Sequence, residues 1–308
     1  MKAKKALFSA GVAALTLVAA PPASAINLIA NYSDPSVSGG IWQSAGGQLF
    51  SSDPGVGAFN VTDIFKANIA VAMSYLNNSI KAGRDLTVTF KLHDFTGQGA
   101  DGDSQITSEY SDTHLPATSI IRLDSSAGSH FYVDPTPLSS SEWNMHSDNA
   151  TLGGGTVNVG RYGDASAGSA AANRTDILTL AMHELIHSAG LKPDTLANSA
   201  NPKLTIPGTL TGFADFDLPF ITTSSHIDPN AQSGVFAHTV TSEPSFGNND
   251  RWLLTGVEIY GLCVIHGCSS SEVNTNLISS VPEPASMAMF AAGLGLVAAI
   301  GRRRQRRV

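Results

Sequence analysis

Cysteine is almost absent from this chain, and charge is sparse. Two cysteines in 308 residues, Cys263 and Cys268, exclude a small scaffold held by a disulfide framework. They also argue against a cysteine-based metal site, because the spacing offers no second pair. Charged residues are only 14% of the chain, while Gly, Ser, Thr and Asn are plentiful, as in a secreted, loop-rich protein. Basic charge is scarcest in the body. Eight of the 18 Lys and Arg sit at the two ends, which leaves ten basic against 24 acidic residues between Ile26 and Ser280, a net of −14. Such a body repels phosphates, so nucleic acid is not an expected partner. There is no internal repeat and no obvious second domain. The 42% of hydrophobic residues is ample for one sizeable core.

Long apolar runs occur only at the ends. Residues 1–25, MKAKKALFSAGVAALTLVAAPPASA, have a basic start, an apolar run and a small-residue ending. This is a secretory signal peptide, with cleavage by signal peptidase expected after Ala25. Residues 281–308 combine Val281-Pro282-Glu283-Pro284, an apolar stretch from Ala285 to Gly301 and a terminal arginine cluster. That tripartite tail resembles the PEP-CTERM sorting signal of Gram-negative bacteria. The resemblance implies a transient or stable inner-membrane segment with its arginines on the cytoplasmic side. It also implies processing by an exosortase-type enzyme and delivery to the envelope or outside. Residues 269–280 are expected to be a flexible linker to that tail. In an oxidising compartment Cys263 and Cys268 are expected to form a small-loop disulfide.

Between the ends, residues 26–33 have the apolar content of a strand. Residues 61–80 place Val61, Ile64, Phe65, Ile69, Ala72, Tyr75 and Leu76 on one helical face. The segment DLTVTFKLHDF alternates, with Leu86, Val88, Phe90 and Leu92 on one side. TSIIRLDSS, HFYVDPTPL and TVNVGRYGD are further strand candidates. A helix follows over NRTDILTLAMHELIHSAGL, with Asn173 as expected N-cap and Gly190 as its stop. The expected class is α+β, a mixed twisted sheet with helices on one side and a smaller C-terminal subdomain.

The chemistry concentrates in His183-Glu184-Leu185-Ile186-His187. Histidines four apart on a helix lie one turn apart on one face, so both imidazoles can reach one Zn2+. Glu184, beside that face, is placed to act as general base and then general acid. With Gly190 the pattern becomes H-E-x-x-H-x-x-G, which resembles the metzincin zinc endopeptidases. Their usual third histidine would fall at position 193, where this chain has Pro193. Three residues remain as third ligand: Asp194, His226 and His238. Leishmanolysin-type relatives carry an insertion after the glycine, a downstream histidine motif, a methionine-containing turn and a final LTxxDxxxLxxIG helix. By that resemblance Ser225-His226-Ile227-Asp228 is the histidine motif and residues 234–239 are the turn. Residues 253–267 are then the last helix, and His226 is the favoured ligand. The turn lacks its methionine, since none lies between His187 and Met287, and Phe236 or Val235 is expected to floor the site.

Weaker signals surround this one. Asp94, Asp101 and Asp103 lie in a Gly-rich segment that offers oxygen ligands to a structural Ca2+ or is simply a solvated acidic loop. Trp143 and His146 are groove or packing residues, and Tyr162 and Tyr260 are candidate oxyanion donors. The resemblance implies a zinc endopeptidase domain over residues 26–268, acting on peptide or protein substrates. The competing expectation is a non-catalytic envelope or matrix protein that keeps such a fold.

Overall fold

A computed structural model describes residues 26–32, 61–81, 83–93, 95, 100–124, 131–191, 202–221, 224, 226–242 and 248–276. The signal peptide, the sorting tail with its apolar stretch, Asp94 and Asp194 lie outside the described residues. Among the described residues no helix is long and apolar enough to cross a membrane.

The first layer is a four-stranded mixed sheet. β1 (Asn27–Tyr32), β2 (Asp85–His93) and β4 (Pro116–Asp124) run parallel, and β3 (Gly102–Glu109) closes the edge antiparallel to β4, in the order β1-β2-β4-β3. The alternation in β2 sends Leu86, Val88 and Phe90 into the core. Helix α1 (Val61–Ser79) buries Ile64, Phe65, Ile69, Ala72 and Leu76 along the expected face. It packs on β1 and on the second helix, α2 (Ile177–Ser188), which in turn lies on β3 and β4. Both helices therefore cover one face of the sheet.

Between β4 and α2 come β5 (Phe131–Tyr132), the hairpin strands β6 (Trp143–Leu152) and β7 (Gly155–Ala165), and β8 (Thr175–Asp176). After α2 the chain forms the small hairpin β9 (Lys203–Ile206) and β10 (Phe216–Pro219), which flanks the short helix α3 (Gly208–Thr211). A series of turns leads to β11 (Asp250–Trp252), which pairs with β7, and to the last helix, α4 (Gly256–His266). A disulfide joins Cys263 of α4 to Cys268, just beyond it, with Cα atoms 5.1 Å apart.

Several expectations are corrected. The segment HFYVDPTPL contributes only the two residues of β5. Residues 102–105, expected as the end of an acidic loop, instead begin the edge strand β3. Its alternation is weak because Ser, Asp, Gln and Thr occupy a largely solvated edge. Helix α2 is capped by Asp176 and not by Asn173, whose positive φ of 60° belongs to a turn. Asp176 outcompetes it because one carboxylate oxygen accepts from Thr179 N at 3.1 Å while both serve Arg251.

That arginine anchors the α2 N-terminus to the rest of the fold. Arg251 Nη2 donates to Asp134 Oδ2 at 2.7 Å and to Asp176 Oδ1 at 2.9 Å, and Nε donates to Asp176 Oδ2 at 3.0 Å. The guanidinium also lies over the Trp143 ring at 4.8 Å. All three charged groups are buried. Replacing Arg251 with Met strands two buried carboxylates and is expected to cost about 3–5 kcal/mol in urea unfolding. An unchanged unfolding midpoint would contradict this role.

Candidate metal centre

Helix α2 presents His183 and His187 from successive turns, and its C-terminal end is shaped for them. Gly190 takes a φ of 104°, which an L side chain rarely adopts, and the chain folds back. The Leu191 carbonyl thereby comes to 3.0 Å from His187 Nδ1. His266, the last residue of α4, steadies the same turn by contacting the Ala189 carbonyl through Nε2 at 2.9 Å.

His226 arrives from the turns after β10. Pro219 and Ile221 frame it: Ile221 N donates to the His226 carbonyl at 2.9 Å and Asp228 N to the Pro219 carbonyl at 3.0 Å. The next residue, Ile227, is wholly buried and bridges both Phe220 and Ser242. A buried isoleucine thus pins the backbone while its neighbour's ring turns toward α2. The ligand-type atoms of His183, His187 and His226 all lie within 4.8 Å of one another. His183 Nε2 is 3.2 Å from His187 Nε2 and 3.2 Å from His226 Nε2.

Two features of this triad bear on what it can hold. Two nitrogens on one tetrahedral zinc, each about 2.05 Å from it, lie roughly 3.3 Å apart. The observed separations fit that edge. The second feature is protonation. His183 Nδ1 lies 2.7 Å from the Val240 carbonyl and His187 Nδ1 lies 3.0 Å from the Leu191 carbonyl. Carbonyls only accept, so both Nδ1 atoms carry hydrogen, and in a neutral ring Nε2 is then a bare lone pair. The two Nε2 atoms then face each other without a hydrogen between them, an arrangement that suits a shared cation. Burial, reinforced by His226 and opposed by the Val240 carbonyl, holds His183 down at about 4, so a proton is not that cation at neutral pH. The donor set fits Zn2+: three imidazoles, with backbone carbonyls fixing the tautomers of two of them.

The same shift predicts an acid sensitivity. A buried histidine kept neutral adds nothing to the difference between folded and unfolded states above the unfolded value of 6.5. Below it the unfolded chain takes up the proton and the folded chain does not. The metal-free protein should therefore lose stability as pH falls from about 6.5 to about 4. Thermal unfolding across that range measures it, and a midpoint that stays flat or rises would contradict the buried, neutral ring.

Glu184 is buried beside the triad, its Oε1 4.0 Å from His183 Nε2. The edge strand comes close at this point. A Cβ added to Gly102 would lie 3.5 Å from Glu184 Oε1, so the start of β3 runs directly beside the carboxylate.

The other candidates fall elsewhere. His238 contacts Asp148 Oδ2 through Nδ1 at 2.6 Å and stacks 3.9 Å from the Tyr162 ring. His146 flanks that ring on its own strand pair and approaches Asp164 at 3.4 Å. His238 is thus turned to the β6–β7 hairpin, where Gly160 makes room for it: a Cβ there would meet His238 Cβ at 2.9 Å. Trp143 is buried against Tyr132 and Arg251, so it is a packing residue. Tyr260 lines a separate cavity of about 410 Å³ with Asn149, Asn158 and Thr275, which none of the three histidines touches. Asp103 is paired with Arg122, and Asp101 Oδ2 accepts from Thr175 at 3.2 Å. Among the described residues these two acids are not part of a metal-ligand cluster, and Asp94, the third acid of that segment, lies outside them. The turn over 234–239 buries Phe236 completely and leaves Val235 partly exposed. Its continuation supplies the Val240 carbonyl, a contact that leaves no side-chain signature in the sequence.

No curated protein matches the chain. The PEP-CTERM protein-sorting motif matches residues 280–307. The chain therefore carries a C-terminal signal that marks it for export to the Gram-negative cell envelope and for processing by an exosortase-type enzyme.

Proposed function

We propose that this chain is an exported zinc-dependent endopeptidase. The observation that carries this reading is the convergence of three imidazole Nε2 atoms, two with their tautomers fixed, beside a buried glutamate. His183, His187 and His226 would hold the metal and leave a fourth position open. When bound, zinc would supply a Lewis acid that acidifies water and polarises a carbonyl.

The chain's own residues do the rest. Glu184 takes a proton from the attacking water and returns it to the departing amine. Strand β3 supports the choice of a peptide substrate. Among the described residues it lies at the sheet edge with β4 as its neighbour, the side on which an extended chain would add, and its first residue, Gly102, borders Glu184. A peptide added there passes the glutamate with its carbonyl groups in regular array.

The test is cleavage of casein and of a mixed peptide library by the purified chain. Interior bonds should be cut, cutting should stop with a chelator, and stoichiometric zinc should restore it. A chain that retains zinc but cuts nothing would instead be the non-catalytic envelope protein.

A further inference from the structure

Glu258 is a buried carboxylate outside the site. It is fully buried on α4, and among the described residues its carboxylate is satisfied by neutral donors alone. A helix cap explains half of this arrangement. Thr255 is the N-cap, and Glu258 Oε2 accepts from Thr255 N at 3.0 Å and from Thr255 Oγ1 at 2.7 Å. A capping box needs no more than one carboxylate oxygen. The other oxygen, Oε1, reaches away from the helix and accepts from both Thr241 N at 2.8 Å and Thr241 Oγ1 at 2.9 Å.

Thr241 sits between the contacts that reach two members of the triad. The residue before it, Val240, gives the carbonyl that fixes His183. Its own carbonyl accepts from Ile227 N at 2.9 Å, next to His226. The residue after it, Ser242, forms the parallel bridge to Ile227. One carboxylate oxygen therefore holds the peptide that sets both the ring of His183 and the backbone of His226. These are two of the three groups whose spacing must match the metal.

We propose that Glu258 is a positioning residue for the metal centre, acting through Thr241; the inference rests on the three-histidine reading above. Its effect is on geometry, since its carboxylate does not contact the histidines. Displacement of Thr241 would separate His183 from His226 while leaving the His183–His187 pair, which α2 fixes by itself.

The experiment compares the full-length chain with E258A, T241V and T255A. Zinc affinity is measured by competition with a chromophoric chelator. The visible absorption of the Co2+-loaded protein reports coordination geometry, and urea unfolding of the metal-free protein reports the fold. E258A should weaken zinc about 10- to 100-fold, the usual range for partners that orient ligands, and shift the cobalt bands. T241V, isosteric and lacking only the hydroxyl, should move both readouts in the same direction by less; it stands in should E258A fail to fold. T255A should lower the urea midpoint and leave zinc affinity and the cobalt spectrum as in the parent. If E258A and T241V keep parental zinc affinity and cobalt spectra while unfolding at lower urea, Glu258 is only a helix cap and the inference is overturned. A parent chain that binds neither Zn2+ nor Co2+ overturns the three-histidine reading itself.

Discussion

Glu184→Gln should lower the turnover of a cleavable peptide by about 10²- to 10⁴-fold, the usual contribution of a placed general acid–base. Gln is nearly isosteric with Glu, so the buried position keeps its packing. It cannot accept the proton of the attacking water or hand one to the leaving amine. The three histidines are untouched, so zinc content should stay at one per chain and the thermal midpoint should not fall. The loss should appear in kcat more than in KM, since the carboxylate acts as charge moves and contributes little to holding the peptide. Steady-state kinetics on an internally quenched peptide, beside metal analysis of the same sample, checks both halves. A variant as fast as the parent would remove Glu184 from the mechanism.

The second large effect is on metal retention. His226→Ala should cost at least about 100-fold in zinc affinity, because even partners that merely orient ligands are worth about 10- to 100-fold. His238→Ala should leave zinc in place, since its Nδ1 is committed to Asp148 and its ring to Tyr162. Asp194→Ala should also retain zinc if the three imidazoles complete the protein's share of the coordination. Chelator competition on the three variants separates the candidates. Loss of zinc in Asp194→Ala with retention in His226→Ala would reverse the assignment.

The sequence announced α2 more clearly than anything else in the body. Apolar residues at helical spacing, a glycine stop and His183-Glu184 with His187 all belong to one local stretch, and local patterns survive folding. Even there the cap was misplaced, because Asp176 is chosen by Arg251, 75 residues away. Strand β3 was hidden for a different reason. An edge strand that among the described residues pairs with β4 alone and has a wet outer face needs no apolar alternation, so Asp101 and Asp103 read as part of an acidic loop. The approach of His226 to α2 depends on closure around Ile227, and only the resemblance to leishmanolysin-type proteins singled it out in advance. The remaining parts of the site had no side-chain trace at all. The groups that fix the two helical histidines are the carbonyls of Val240 and Leu191, and any residue carries a carbonyl. Glu258 stood in the expected final helix, but its bond to Thr241 is a tertiary fact.

The central claim is that three imidazoles from this chain share one zinc ion and leave it an open position. Zinc K-edge X-ray absorption on the metal-loaded protein tests it most directly. The account predicts one zinc per chain, four light-atom neighbours at about 2.0–2.1 Å and imidazole outer-shell scattering that fits three rings. A spectrum with sulfur neighbours, with six oxygens, or with fewer than three imidazoles would contradict it.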